Sequence, residues 1–173
     1  LALASYKLEL GEPLPSGLSL TSIMTYSGPQ SGGYGYTAML NGIMVFGFSG
    51  TDFASTSDIQ ADAVSAFSTA VELGGTSYSA GLGFVGQYLE LKYLQPNGLL
   101  QTLNSISRGT LVRVVGHSLG GALANLCAVE LANIGAKVLL QTAGSPRVFH
   151  SDSDSYNRAQ SLVAPLSSVW AES

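Results

Sequence analysis

Ser118 is the residue whose neighbours best equip it for chemistry. It sits at the centre of Gly116-His117-Ser118-Leu119-Gly120-Gly121, a G-x-S-x-G pattern. Such a pattern gains meaning between a strand and a helix, where a sharp, strained turn exposes the serine Oγ above a sheet. The apolar, strand-like run Leu111-Val112-Arg113-Val114-Val115 precedes it, and Ala122 to Leu131 follows with apolar residues at helical spacing. Glycine at 116 and 120 lets strand and helix approach closely. The helix N-terminus then turns its dipole and free N–H groups toward the serine, which favours a developing negative charge. The chemistry this predicts is nucleophilic acyl transfer by Ser118, with the Leu119 backbone N–H as one oxyanion donor.

A serine hydroxyl is a poor nucleophile until a base takes its proton and a third group orients that base. The chain has two histidines. His117 adjoins Ser118, and adjacent side chains on a strained turn point apart, which argues against it as the base. His150 follows the next strand, so its loop can approach the site, with Asp152 or Asp154 to orient it. Two readings stand there: an in-chain Ser118–His150–Asp152 triad, or a surface loop rich in Ser and Asp.

The 173 residues suffice for a single domain, 1–173, with a substantial core. Hydrophobic residues make up 46% and mean hydropathy is +0.29, so the chain is globular. Only 10% of residues are charged, against about 25% in typical domains. The surface is therefore rich in small polar residues, which suits a secreted protein or one working at a lipid interface. The net charge of −4 and the lack of a Lys/Arg cluster exclude nucleic acid as a partner. Cys127 is the only cysteine, so no intrachain disulfide forms, and its apolar helical neighbours mark it as a core thiol. Two histidines and one cysteine make no convincing metal-ligand cluster, and no metal or organic cofactor is expected. No run of about 18 apolar residues occurs, so no transmembrane helix is expected. Leu1 in place of a start methionine predicts a mature or trimmed chain whose signal peptide, if any, is already gone.

The elements that must position Ser118 read as an alternation. Strands are predicted at 22–26, 34–40 and 43–48, the last two joined by the hairpin signal Asn41-Gly42. Asp58 caps a helix expected to run to about Leu73, with Ile59, Ala63, Val64 and Phe67 on one face, ended by Gly74-Gly75-Thr76. Helices follow at about 82–93 and 99–106, broken by Pro96-Asn97-Gly98. A strand is predicted at 137–142, a helix at 156–162 and a last strand at 166–170. An antiparallel start followed by alternating strands and helices predicts an α/β fold, a three-layer sandwich around a mostly parallel sheet.

Four segments, in this order, resemble the class 3 (fungal-type) triacylglycerol lipase family, an α/β-hydrolase group. Val45-Phe46-Gly47-Phe48-Ser49-Gly50-Thr51, with Asp58-Ile59-Gln60-Ala61-Asp62 behind it, resembles the family's strand ending in Arg-Gly-Thr or Arg-Gly-Ser and its Asp-Trp-x-x-Asp-like helix. Gly81-Leu82-Gly83-Phe84 is similar to His-x-Gly-Phe. Val115 to Ala124 matches the elbow almost completely, and Gly144-Ser145-Pro146-Arg147-Val148 is similar to Gly-x-Pro-Arg-Val-Gly-Asn. The departures are Ser49 for Arg, Leu82 for His, and Phe149-His150 for Gly-Asn.

The resemblance implies a serine ester hydrolase acting on a lipid or small ester. Phospholipase, thioesterase and feruloyl-type esterase activities remain open within it. Thr51 is implied as the second oxyanion donor, through its backbone N–H and its hydroxyl. Residues 53–67 resemble a lid that swings at a lipid surface; the alternative is an ordinary amphipathic helix on the sheet. Arg147 is expected to tie loops together through carbonyls, and Asp62 to accept local hydrogen bonds. The family's triad Asp falls by spacing just past Ser173, with the His further on. The resemblance therefore implies a domain truncated at its C-terminus, with Asp and His supplied by a downstream segment or a companion chain. The competing expectation is a truncated or degenerate hydrolase fold acting as a binding module.

Overall fold

In a computed structural model, the structure describes residues 1, 4, 7, 12–27, 32–50, 67–94, 99–150 and 154–163. The strands are β1 (Leu18–Ser27), β2 (Gly32–Leu40), β3 (Ile43–Phe48), β4 (Ser68–Leu73), β5 (Thr76–Gly81), β6 (Leu111–His117) and β7 (Lys137–Ala143). The helices are α1 (Leu82–Tyr93), α2 (Leu99–Ser105), α3 (Leu119–Asn133) and α4 (Ser155–Val163).

Five strands form one sheet in the order β1-β2-β3-β6-β7. β1, β2 and β3 pair antiparallel, and β3, β6 and β7 pair parallel. The β2–β3 hairpin closes on Asn41 and Gly42, with φ of 50° and 79°, the left-handed pair that a two-residue turn of this hand requires. In the parallel part, Phe48 lies beside Gly116, and His117 beside Ala143. These pairings bring the C-terminal ends of three strands together at the Ser118 turn.

Alternation along the strands fills both faces of the sheet. Phe46, Phe48, Val112 and Val114 enter a core shared with α1 and α3. Val45 and Val115 point the other way, into a second core with Tyr36 and Ala38. Two apolar faces on one sheet match the predicted layered α/β fold. α3 is apolar nearly all round and packs on β6, β7, β3 and α1, as a helix buried on most sides must.

One prediction fails. Residues 68–73 are not the tail of a helix; they are β4, paired antiparallel with β5 in a separate two-stranded sheet. Val71 and Leu73 face inward while Glu72 faces out, a period of two. Gly74 and Gly75, at φ of 60° and 87°, form the hairpin turn rather than a helix stop. The sequence Leu73-Gly74-Gly75-Thr76 carries that hairpin signal as plainly as Asn41-Gly42 does. The predicted start of that helix at Asp58 and the strand at 166–170 lie outside the described residues.

Candidate active site

Ser118 occupies the one-residue turn between β6 and α3, at φ 54° and ψ −125°. A β-carbon disfavours this region, at a cost on the order of 1–3 kcal/mol, and it persists only where the surroundings enforce it. Here they do. An added β-carbon on Gly116 would fall 2.1 Å from the Gly120 carbonyl oxygen, and one on Gly120 would fall 2.3 Å from that of Phe48. No side chain fits at either position, so strand, turn and helix close to backbone contact. The Ser118 N–H donates to the Ala143 carbonyl at 2.9 Å, and the Ser118 carbonyl accepts from the Gly121 N–H at 2.9 Å.

Ser118 is also the residue preceding α3, where a serine hydroxyl ordinarily caps the helix. Its side chain makes no capping hydrogen bond. The residue is nonetheless buried, with 6% of its surface exposed. Leu119 begins the helix, where its own backbone N–H has no acceptor within the helix. A buried, strained, uncapped serine beside helix N–H groups is the arrangement that nucleophilic acyl transfer needs.

The end of β3 packs on this turn. Phe48 and Ser49 are fully buried, and Gly120 abuts both backbones. The chain leaving that strand leads directly to Thr51, which lies outside the described residues, as do Asp62 and Asp152.

His150 is described, and its backbone is fixed elsewhere. Its N–H donates to the Ser79 carbonyl at 3.3 Å, one step along from a bridge between Phe149 and Ala80. The segment from Val148, which accepts from Gly81, runs antiparallel to β5 toward Tyr78. The Tyr78 hydroxyl accepts from Asn133 Nδ2 at 2.9 Å, at the end of α3 opposite Ser118. The backbone of His150 therefore continues along β5 in the direction of Tyr78. Arg147 lies over the Tyr156 ring, 5.6 Å from its centre.

Sequence reasoning missed two polar groupings on α3. Asn125 donates to the Gly121 carbonyl at 2.8 Å and to Ser145 Oγ at 3.2 Å. Farther along, the Glu130 carboxylate accepts from the Tyr88 hydroxyl and the Lys92 ammonium, both on α1. Tyr88 and Lys92 stand four apart, on one helix face, so a polar residue facing them from an apolar helix was the available signal. Burial holds the Tyr88 hydroxyl and the Cys127 thiol well above their usual ranges. For Lys92, burial works against the charge, but the bond to Glu130 and its charge outweigh it and raise the pKa. Cys127 is buried, as expected of a core thiol. A cavity of about 550 Å³ beside the Lys92–Glu130 pair, walled by Leu100, Leu103, Ile106 and Ile134, lies toward the end of α3 remote from Ser118.

A sheet with a parallel β3-β6-β7 half, a strained serine turn and a closely packed following helix define an α/β-hydrolase fold. The profile of the lipase (class 3) family matches residues 45–164. The chain belongs to the class 3 lipase family. It is 37% identical over 93 residues to lipase ZK262.3 of Caenorhabditis elegans, a match covering 50% of this chain and 26% of that protein. Among solved structures, it is similar to the Lip2 lipase of Yarrowia lipolytica, with a TM-score of 0.62 at 22% identity, over 85% of this chain and 51% of that one. A fungal lipase–inhibitor complex aligns with a TM-score of 0.54 at 23% identity, over 81% of this chain and 53% of that lipase. The two structural likenesses carry the fold. The chain spans about a quarter of the nematode lipase and about half of each solved lipase.

Proposed function

We propose that this chain carries the nucleophile and oxyanion elements of a serine ester hydrolase that cleaves acyl esters of lipids. The observation that carries the reading is the strained, buried Ser118, uncapped at the N-terminus of α3. Ser118 Oγ attacks the ester carbonyl and its proton passes to a base. The carbonyl oxygen becomes an oxyanion held by the Leu119 N–H and by Thr51, which follows the β3 end packed on Gly120. Collapse expels the alcohol and leaves an acyl-Ser118, which water then hydrolyses to the free acid.

The backbone course of His150 along β5 supports a base from outside these 173 residues, in a further segment or a companion chain. In this reading residues 53–67, of which only Phe67 is among the described residues, serve as the lid. Phe67, at its end, is 86% exposed, and its carbonyl accepts from the N–H of half-exposed Leu82 at the start of α1. These two apolar side chains support contact with a lipid surface. The sparse charge of the chain, 10% of residues, supports a secreted setting.

The test is hydrolysis of p-nitrophenyl esters from acetate to laurate, with imidazole in the buffer to supply a base. Release above that of the Ser118→Ala chain, with an acyl adduct on Ser118 by intact mass, is expected. Equal release by both chains rules the reading out.

A further inference from the structure

Asn125 is a poor choice for its position by local criteria. It is the one partly exposed residue between Leu119 and Leu131, a stretch that is otherwise buried. Alanine or leucine favours a helix interior over asparagine. The hydrogen bonds of Asn125 explain its presence, and they follow from one another.

The Gly121 carbonyl can only accept, so the amide of Asn125 must turn its NH2 toward it. The second hydrogen of that NH2 then donates to Ser145 Oγ. With its oxygen accepting, Ser145 spends its own hydrogen on the Pro146 carbonyl, 3.1 Å away. The two amide hydrogens and the hydroxyl hydrogen are thus all assigned. The network latches the loop after β7 to the first turn of α3.

The end of β7 and the loop that follows it touch the Ser118 turn at two places. The Ala143 carbonyl accepts the Ser118 N–H. Ser145 packs so closely on Gly121 that an added β-carbon there would lie 2.7 Å from the Ser145 β-carbon. Gly144, between them, has φ 59° and bends the chain. A loop tied only at Ala143 can swing about that glycine; a loop also tied at Ser145 cannot.

We infer that Asn125 is a positioning residue: through Ser145 it holds the Ala143 carbonyl on the Ser118 N–H and so keeps Ser118 and the Leu119 N–H in reactive geometry. The inference rests on the reading of Ser118 as the nucleophile. Asn125 touches no reacting atom and acts only through the loop.

The experiment is the rate of fluorophosphonate labelling of Ser118 in imidazole buffer, followed by intact mass. It compares the parent chain, Asn125→Ala, Ser145→Ala and the double variant, with thermal unfolding measured alongside. Each single variant is expected to slow labelling about tenfold at saturating probe, leaving half-saturation unchanged, and the double variant no more than either single one, because residues in one network are not additive. Asn125→Asp keeps the size but loses the donor to Gly121, and is expected to behave as Asn125→Ala does. A labelled parent whose rate is unchanged in Asn125→Ala overturns the inference alone, as does a double variant slowed by the product of the single effects. Slowing that merely tracks loss of folded protein in the melts also overturns it, since a positioning role lowers the rate of chains that remain folded. A folded parent that takes no probe overturns the nucleophile reading, and the role with it.

Discussion

Gly120 stands against Phe48 so closely that a β-carbon on it would lie 2.3 Å from the Phe48 carbonyl oxygen. The first turn of α3 is therefore pressed onto the end of β3, the strand that leads into Thr51. The contact seats the turn that holds the Leu119 N–H, one proposed oxyanion donor, against the described end of β3. The obstructing atoms are backbone, so nothing flexible can yield. Gly120→Ala is expected to cost at least about 2 kcal/mol, the scale of overpacking in a tight core. Chemical denaturation checks it. A stability change under about 0.5 kcal/mol, the scale of surface substitutions, would contradict the contact.

Glu130 holds Tyr88 and Lys92 of α1 against α3, with only 9% and 6% of the Lys92 and Glu130 side chains exposed. Removing one partner of a buried pair strands the other charge, which costs about 3–5 kcal/mol when burial is complete. The adjoining cavity admits solvent, so Glu130→Gln is expected to cost about 2–3 kcal/mol. Tyr88→Phe loses one hydrogen bond and is expected to cost about 1–2 kcal/mol. Denaturant unfolding of the two variants measures both, and the reverse order would contradict a buried ion pair.

Alkali is expected to destabilise the fold through the same cluster. Folded Cys127 and Tyr88 keep their protons above the ordinary values of 9.0 and 10.0, because burial disfavours their anions. Lys92, raised above 10.5 by Glu130 despite burial, also holds its proton longer when folded. The folded state then binds more protons than the unfolded chain, so stability falls as pH rises. The contribution of Lys92 is complete below 10.5 and is lost as pH climbs through its folded value. Melting temperature is expected to fall once pH passes about 9, and Cys127→Ala to delay the onset. A melting temperature constant from pH 8 to 11 would count against this.

His150 is expected to leave Ser118 chemistry untouched, since its backbone is hydrogen-bonded to Ser79 on β5. His150→Ala is expected to label with fluorophosphonate at the parent rate. A large loss of labelling, with the melt unchanged, would return His150 to the triad.

The sequence showed the elbow because that motif writes its geometry in residue types. Glycine is required wherever backbone meets backbone, and Gly116 and Gly120 meet it. Strands β3, β6 and β7 were legible as apolar runs, and Asn41-Gly42 as a turn demanding positive φ. The β4–β5 hairpin was misread because an upstream helical face was extended through Val71 and Leu73, residues equally at home in a strand of period two. The Asn125–Ser145 latch spans a strand crossover, so no local pattern announces it. The same is true of Glu130 with Tyr88 and Lys92, whose partners lie about 40 residues apart in sequence.

The most direct test of the central claim is intact-mass analysis after fluorophosphonate treatment, with and without imidazole, of the 173-residue chain and its Ser118→Ala variant. One adduct is expected on the parent chain, accelerated by imidazole and absent from the variant, if Ser118 is the nucleophile and its base is supplied from elsewhere as proposed. A folded parent without an adduct, or an adduct that persists in Ser118→Ala, would contradict Ser118 as the nucleophile.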